Sequence, residues 1–221
     1  MGVAAVTVTA GLAVAGCAPV KFGAAAVVGN QRITVAQLGT ETGQLAAAVK
    51  EFPGIGKVTS LELTQETLTW LIRFKINDQI ASADGISVST ADSQAGLKDV
   101  YQEVAAEAEQ DGISNVSQNE ALAALGIAPS LAAELGRYEA IDNAFLKAAN
   151  GGSVPTSATS AAGTQLNSAE CLAAKSLTIK VNPQFGVMNY AKYQVVTGPD
   201  TVSRPSGTAQ TASISGLTPA C

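Results

Sequence analysis

Cys17 is the residue whose setting most clearly predicts a chemical event. An apolar run begins at Val3 and ends in Ala15-Gly16, directly before this cysteine. The run has the length of the apolar region of a secretory signal and is too short for a permanent bilayer-spanning helix. Small residues before a cysteine are typical of the site where a bacterial lipoprotein signal is cleaved and the thiol receives a diacylglycerol. We therefore expect residues 1–16 to be a lipoprotein signal peptide and Cys17 to carry the lipid.

The alternative for Cys17 is an ordinary buried cysteine in an apolar helix. Pro19 favours the signal, because it stops a helix directly after the cysteine. One feature disagrees with the pattern: the first charged residue is Lys21, whereas such signals normally open with a basic residue.

Two cysteines remain if Cys17 carries lipid, namely Cys171 and Cys221. Disulfides persist outside the cytoplasm, and a bridge between these two residues would close the C-terminal part of the chain into a loop. We expect this bridge; two unpaired thiols are the alternative.

The chain contains no histidine. This excludes catalytic sites of the Ser-His-Asp and Cys-His types and the commonest zinc ligand sets. Gly54-x-Gly-Lys57 lacks the spacing and the following Ser or Thr of a phosphate-binding loop, so we interpret it as a turn. Glu103, Glu107 and Glu109 are interpreted as the solvated face of a helix, and a pair of them as an acid–base couple is the alternative. We expect no catalysis, no cofactor and no metal.

Composition limits the partners and the class of fold. The net charge of -5 comes without a basic stripe, so nucleic acid is not an expected partner. Hydrophobic residues make up 47% of the chain and charged residues 14%, and the abundance of alanine favours helices. After Cys17 no apolar run reaches the roughly 18 residues of a membrane span.

Apolar residues at helical spacing predict about five helices. The second of them has the widest apolar arc, around Leu68, Leu71 and Ile72, and is expected to be the most buried. We expect helices after Thr34 up to Pro53, from Thr64 to about Asp84, from Ser89 or Thr90 to Gln110, over 121–125, and from Ser130 to Asn150.

Short extended segments occur near both ends of this helical region. Residues 24–33 predict two strands around a tight turn at Gly29-Asn30, and residues 176–181 alternate between apolar and polar side chains. Neither strand is stable alone, so we expect the strands near Val27 and Ile179 to pair. Further extended segments are expected at 185–187 and 193–196.

The remaining segments are predicted from their composition. Residues 151–168 are rich in Ser, Thr, Ala, Gly and Pro and are predicted to be a linker, followed by a short helical turn over 169–174. Residues 17–23 are a predicted tether, and residues 197–221 are a predicted low-complexity tail.

Three stretches, taken in order, resemble the N-terminal domain of SurA- and PrsA-type foldases, which are extracytoplasmic chaperones that often carry a parvulin prolyl isomerase. Gln184 stands where the family usually has a basic residue, and the resemblance covers about residues 24–190. The stretches are Val27-Val28-Gly29-Asn30-Gln31-Arg32-Ile33-Thr34-Val35-Ala36-Gln37-Leu38, Ile127-Ala128-Pro129-Ser130-Leu131 and Val181-Asn182-Pro183-Gln184-Phe185-Gly186.

The resemblance implies a mainly α, SurA N-terminal-like domain over residues 24–196, with a small antiparallel β-sheet that pairs N-terminal and C-terminal strands. In the family, the isomerase is inserted between the last long helix and the closing strand. Here that interval is the predicted linker, far below the roughly 50 residues of a small domain. The parvulin site also uses histidines, so the resemblance implies a member that lacks the isomerase.

The resemblance and the predicted anchor together give a functional expectation. We expect a lipid-anchored protein at the extracytoplasmic face of the cell membrane that binds apolar segments of unfolded or secreted polypeptides without catalysis. The alternative is a structural or scaffold envelope lipoprotein that binds one folded partner. Aromatic side chains are the candidate peptide-binding residues, and core packing is their alternative role: Trp70, Phe74, Tyr101, Tyr138 and Phe145.

Overall fold

The computed structural model describes residues 23–52, 57–154 and 161–198. The predicted signal peptide, Cys17 and Cys221 lie outside these residues, as does most of the predicted tail. The described chain is mainly helical with small antiparallel sheets, as predicted. Its elements are β1 (Ala24–Val28), β2 (Gln31–Thr34), α1 (Val35–Glu51), α2 (Ser60–Ala83), α3 (Thr90–Gln110), α4 (Gln118–Ala124), a 3₁₀ turn (Pro129–Leu131), α5 (Ala132–Ala149), α6 (Ala161–Ser176), β3 (Ile179–Val181), β4 (Val187–Asn189) and β5 (Gln194–Val196).

Strand β1 is the centre of a three-stranded antiparallel sheet with the order β2-β1-β3. It forms the predicted hairpin with β2 around Gly29, and it also pairs with β3, where Val28 lies opposite Ile179. The predicted pairing of the N-terminal and C-terminal strands is therefore confirmed. Strands β4 and β5 form a separate antiparallel hairpin.

The turn after β3 explains several residues of the third stretch described above. The backbone N–H of Asn182 donates to the Ala25 carbonyl at 2.8 Å, and its side-chain amide donates to the Ala24 carbonyl at 3.2 Å. A Cβ at Gly186 would collide with the Val196 carbonyl oxygen, so only glycine fits there. Gln184 is exposed. The turn thus fastens the closing strand to β1. Its glycine also lets the backbone at residue 186 lie close to Val196 of β5.

Side-chain caps set the starts of the long helices. The Thr34 hydroxyl accepts from the Gln37 N–H at 3.0 Å, as predicted for the start of α1. The predicted start of α2 at Thr64 is wrong. Thr59 and Glu62 form a reciprocal capping box, with bonds of 3.2 and 2.8 Å, which starts the helix at Ser60.

Helix α2 is the buried axis of the fold, as predicted. Every residue from Thr67 to Phe74 is buried, so the helix has no solvent face over two turns. It packs against α1, α5 and α6 and against strands β1 and β5. A helix covered on all sides needs partners for its polar side chains as well as its apolar ones.

The predicted linker over residues 151–168 is wrong in its second half. Residues 161–168 are helical and belong to α6, which continues to Ser176. Its inward positions are small or polar: Gly163, Glu170 and Ala174 are buried, whereas Leu172 is exposed. An inward face without large apolar residues gives little hydrophobic periodicity, which is why composition predicted a linker here.

Helices α3 and α5 cross closely at two glycines. A Cβ at Gly96 would lie 3.0 Å from the Gly136 carbonyl oxygen, and a Cβ at Gly136 would collide with the Ser93 carbonyl oxygen. The close crossing therefore requires glycine, which has no side chain, at both positions.

Gly136→Ala is expected to force α3 and α5 apart and to lower the free energy of unfolding by about 1–3 kcal/mol. Chemical denaturation followed by circular dichroism measures the change. The matched control is Gly39→Ala, because a Cβ at Gly39 meets nothing within 4 Å. A Gly136→Ala chain as stable as the Gly39→Ala chain would contradict the close crossing.

Candidate functional site

An apolar groove of about 320 Å³ lies between α1 and α2 and is closed on one side by the turn after β3. None of the described residues that line it carries a charge. Its walls come from α1 (Val35, Leu38, Gly39, Thr42, Gly43, Ala46), from α2 (Ser60, Leu63, Thr64) and from Phe185.

Two glycines on α1 leave the groove open. Gly39 and Gly43 lie one turn apart, and a Cβ at either position would meet nothing within 4 Å. Glycines in the middle of a helix weaken it, and in the sequence this effect alone does not indicate a groove. Their role becomes visible only once α2 and Phe185 are in place.

Thr42 contributes an unusual polar atom to the groove. Its hydroxyl oxygen is buried and has no hydrogen-bond partner among the described residues. By contrast, the hydroxyls of Thr64, Thr67 and Thr69 on α2 each donate to the carbonyl one turn earlier, at 2.7–2.8 Å. A buried hydroxyl without a partner costs about 1–3 kcal/mol. The oxygen has no access to solvent in this structure, so an occupant of the groove can pair with it only after the Thr42 side chain turns.

The predicted peptide-binding aromatics lie elsewhere. Trp70 and Phe74 are only 3% and 6% exposed, and with Tyr138 they form a cluster with ring centroids 5.7–6.0 Å apart. The Trp70 indole N–H donates to the Leu125 carbonyl at 3.0 Å. Trp70 and Phe74 are therefore core residues, which is the alternative that the sequence left open.

Tyr101 on α3 and Phe145 on α5 are half-buried. Tyr101 packs against the edge of the core. Neither residue lines the groove. Peptide binding by these two side chains stays a prediction.

A second set of polar groups is buried on the opposite side of α2. The Arg73 guanidinium lies 5.0 Å from the Trp70 ring centroid and 5.3 Å from that of Tyr193, and it donates to the Tyr193 carbonyl at 3.2–3.3 Å. Such stacking of a cation on aromatic rings is stabilising when the ring faces are desolvated. Arg73 thereby fastens the β4–β5 hairpin to α2.

Two acidic side chains lie near this arginine. Glu170 of α6 accepts from the Tyr138 hydroxyl at 2.7 Å, and Asp142 of α5 accepts from the Asn77 amide at 2.6 Å. Burial raises the pKa of both carboxyls, and the charge of Glu170 raises that of Asp142 further. Raised carboxyl pKa values suit proton transfer, but also occur in structural networks.

Tyr138 and Asn77, the hydrogen-bond partners of these acids, line a small cleft. This cleft of about 20 Å³ has room for about one water molecule. The acids therefore connect α2, α5 and α6 to one another, and the groove on the other side is the described site with room for a larger occupant.

Glu139 lies over the close crossing of α3 and α5, where its Cβ would lie 3.0 Å from a Cβ added to Gly96. Burial, with the negative charges of Glu103, Glu170 and Asp99, raises the pKa of Glu139 to about 7. Its charge therefore changes in the neutral range.

The predicted lipidation and disulfide stay predictions. Cys171 is buried on α6, but Cys17 and Cys221 lie outside the described residues. Across residues 23–52, 57–154 and 161–198, no three cysteine or acidic side chains are arranged to hold a metal ion. No helix in the described part of the chain has the length and apolar character needed to cross a membrane.

Comparison of the chain with protein-family models, with curated proteins and with solved structures finds no match. The SurA- and PrsA-type resemblance therefore rests on the three stretches described above.

Trp70→Ala is expected to lower the free energy of unfolding by about 3–5 kcal/mol, because it leaves a cavity in the core and removes the donor to Leu125. Thermal unfolding measures the loss. Trp70→Phe is the matched control: it keeps most of the apolar volume and should cost clearly less. A Trp70→Ala chain with unchanged melting temperature would show that the indole is not a core residue.

Glu139→Gln is expected to remove part of the pH dependence of stability. The folded state keeps a proton on Glu139 above pH 4.5, where the unfolded chain releases it. The resulting stability is fully present below pH 4.5 and is lost as the pH rises toward 7. The loss is about 3 kcal/mol, because the pKa rises from 4.5 to about 7 and tenfold in proton affinity is about 1.4 kcal/mol.

Denaturation of both chains at a series of pH values measures this effect. The stability of Glu139→Gln relative to the natural chain should rise across that window and then stay constant. Glu107→Gln, which removes an exposed carboxylate from α3, is the matched control. A difference that stays flat across the window would contradict the raised pKa.

Proposed function

We propose that the protein is a lipid-anchored, extracytoplasmic chaperone-like protein that binds apolar segments of unfolded or secreted polypeptides without catalysis. The groove between α1 and α2 is the observation that carries the proposal. The pairing of the N-terminal and C-terminal strands and the three stretches that resemble SurA- and PrsA-type domains support it. Cys17 would supply the anchor.

The chemistry of the groove suits a neutral, apolar polypeptide segment. Leu38, Leu63 and Phe185 offer apolar surface, and no charged group selects for a charged ligand. Its volume is at the low end of ligand sites, enough for a few side chains of a longer chain. Burial of apolar surface at about 25 cal/mol per Å² over so small an area gives weak, reversible binding.

The stability cost of the two glycines on α1 also supports the proposed function. A glycine inside a helix costs about 1 kcal/mol relative to alanine. Gly39 and Gly43 lie on an exposed strip where a side chain would meet nothing, so packing within the domain does not require them. Close approach of an occupant to the α1 backbone would explain both residues.

Gly43→Leu separates function from stability. The leucine would fill the groove, so affinity for an unfolded polypeptide should fall by about tenfold or more, a loss of about 1.4 kcal/mol. The helix should become more stable by up to about 1 kcal/mol. Fluorescence anisotropy with labelled, reduced and carboxymethylated α-lactalbumin measures binding, and thermal unfolding measures stability.

Thr40→Leu is the matched control, because it adds the same side chain to an exposed position of α1 outside the groove. It should leave binding unchanged. Equal binding by Gly43→Leu and the natural chain would contradict the groove as the client site. Co-purification of one folded partner in stoichiometric amount, with no binding of unfolded polypeptide, would favour the scaffold role instead.

A further inference from the structure

The chain enters the folded domain beside the groove. The carbonyl of Gly23, the first described residue, accepts from the Val35 N–H at 2.9 Å. Val35 is the first residue of α1 and lines one end of the groove. Residues 18–22, which precede Gly23 in the predicted tether, therefore start next to that end.

The length of this segment matches the groove. Val35 and Ala46, the most distant groove residues on α1, are separated along the helix axis by about 16 Å at 1.5 Å per residue. Five extended residues reach about 17 Å. Residues 18–22 can thus run along the whole groove from its Val35 end.

The sequence of this segment also suits the groove. Pro19 disfavours a helix, and Val20 and Phe22 stand two positions apart. In an extended chain these two side chains point to one side, and Lys21 points to the other. One edge of the segment is therefore apolar, while its only charge faces away from that edge.

Thr42 lines the groove, and its hydroxyl becomes available to an extended segment once the side chain turns toward that segment. The buried Thr42 hydroxyl has no partner among the described residues, and an extended backbone presents both N–H and C=O groups along its edge. A helix keeps these groups for its own hydrogen bonds, so an extended occupant fits better.

We propose that residues 18–22 bind as an extended segment in the groove of their own chain, with Val20 and Phe22 against the strip formed by Gly39 and Gly43. The docked segment would hold the domain close to its anchor. It would also compete with clients, a consequence that rests on the proposed function.

A photoreactive benzoylphenylalanine in place of Phe22 in the full chain tests the docking directly. Irradiation and peptide mass spectrometry should locate intramolecular crosslinks in residues 35–46 or 60–64. The same probe at Lys21 is the matched control and should crosslink to these residues at least severalfold less. Equal yields from the two positions, or crosslinks only between chains, would overturn the proposal.

Competition is tested with the full chain carrying Val20→Ser and Phe22→Ser. Emptying the groove should tighten binding of reduced, carboxymethylated α-lactalbumin by about three- to tenfold, because the competent fraction rises. Adding Gly43→Leu should abolish this gain. Selective crosslinking without polypeptide binding in any variant would support the docking of residues 18–22 and refute the proposed function. Binding that the serine variant leaves unchanged, together with no selective crosslink, would refute the docking alone.

Discussion

Helix α2 is buried on every side from Thr67 to Phe74, so its polar side chains there must find partners inside the protein. Arg73 and Thr69 bind the backbone of the β4–β5 hairpin, at the Tyr193 carbonyl and the Val195 N–H. Asn77 binds Asp142 of α5. An apolar helix surface alone would tolerate small rotations and shifts of its neighbours. Polar groups with specific partners remove that freedom, so they fix how the hairpin and α5 sit on α2.

The groove follows from the same arrangement. Helix α1 packs against α2 and buries Leu38, Leu45 and Ala48, while its glycines Gly39 and Gly43 are exposed. Phe185 closes the groove because β3 pairs with β1 and the turn at Asn182 then brings the chain back over α2. The Gln65 amide holds that turn by donating to the Phe185 carbonyl at 3.2 Å. The pairing of the distant strands therefore shapes the groove.

Local signals predicted much of the fold, and tertiary contacts decided the rest. Three kinds of local signal in the sequence predicted the correct element. They are the caps at Thr34 and Ser89, the apolar arc of α2 and the strand alternation at 176–181. Only a short helical turn over 169–174 was predicted from α6, and its first half was missed because the inward face of the helix carries small and charged residues. The groove was missed because Gly39 and Gly43 contribute no side chain. The sequence analysis predicted peptide binding by large aromatic residues, but two of these, Trp70 and Phe74, are part of the core.

Trp70 and Phe74 lie in the core, whereas Gly39 and Gly43 line the groove. Under the proposed function, this arrangement suits weak binding that tolerates many sequences. Pockets lined by Trp and Tyr concentrate binding energy in a few contacts and select particular partners. Among the described residues, the groove between α1 and α2 has a single aromatic wall residue, Phe185, beside aliphatic side chains and bare backbone. Under the proposed function it would give less binding energy and accept many apolar segments. Two glycines inside a helix lower its stability, and the proposed function would make this an exchange of stability for binding. The densely packed α2 and its partners supply the stability that makes this loss tolerable.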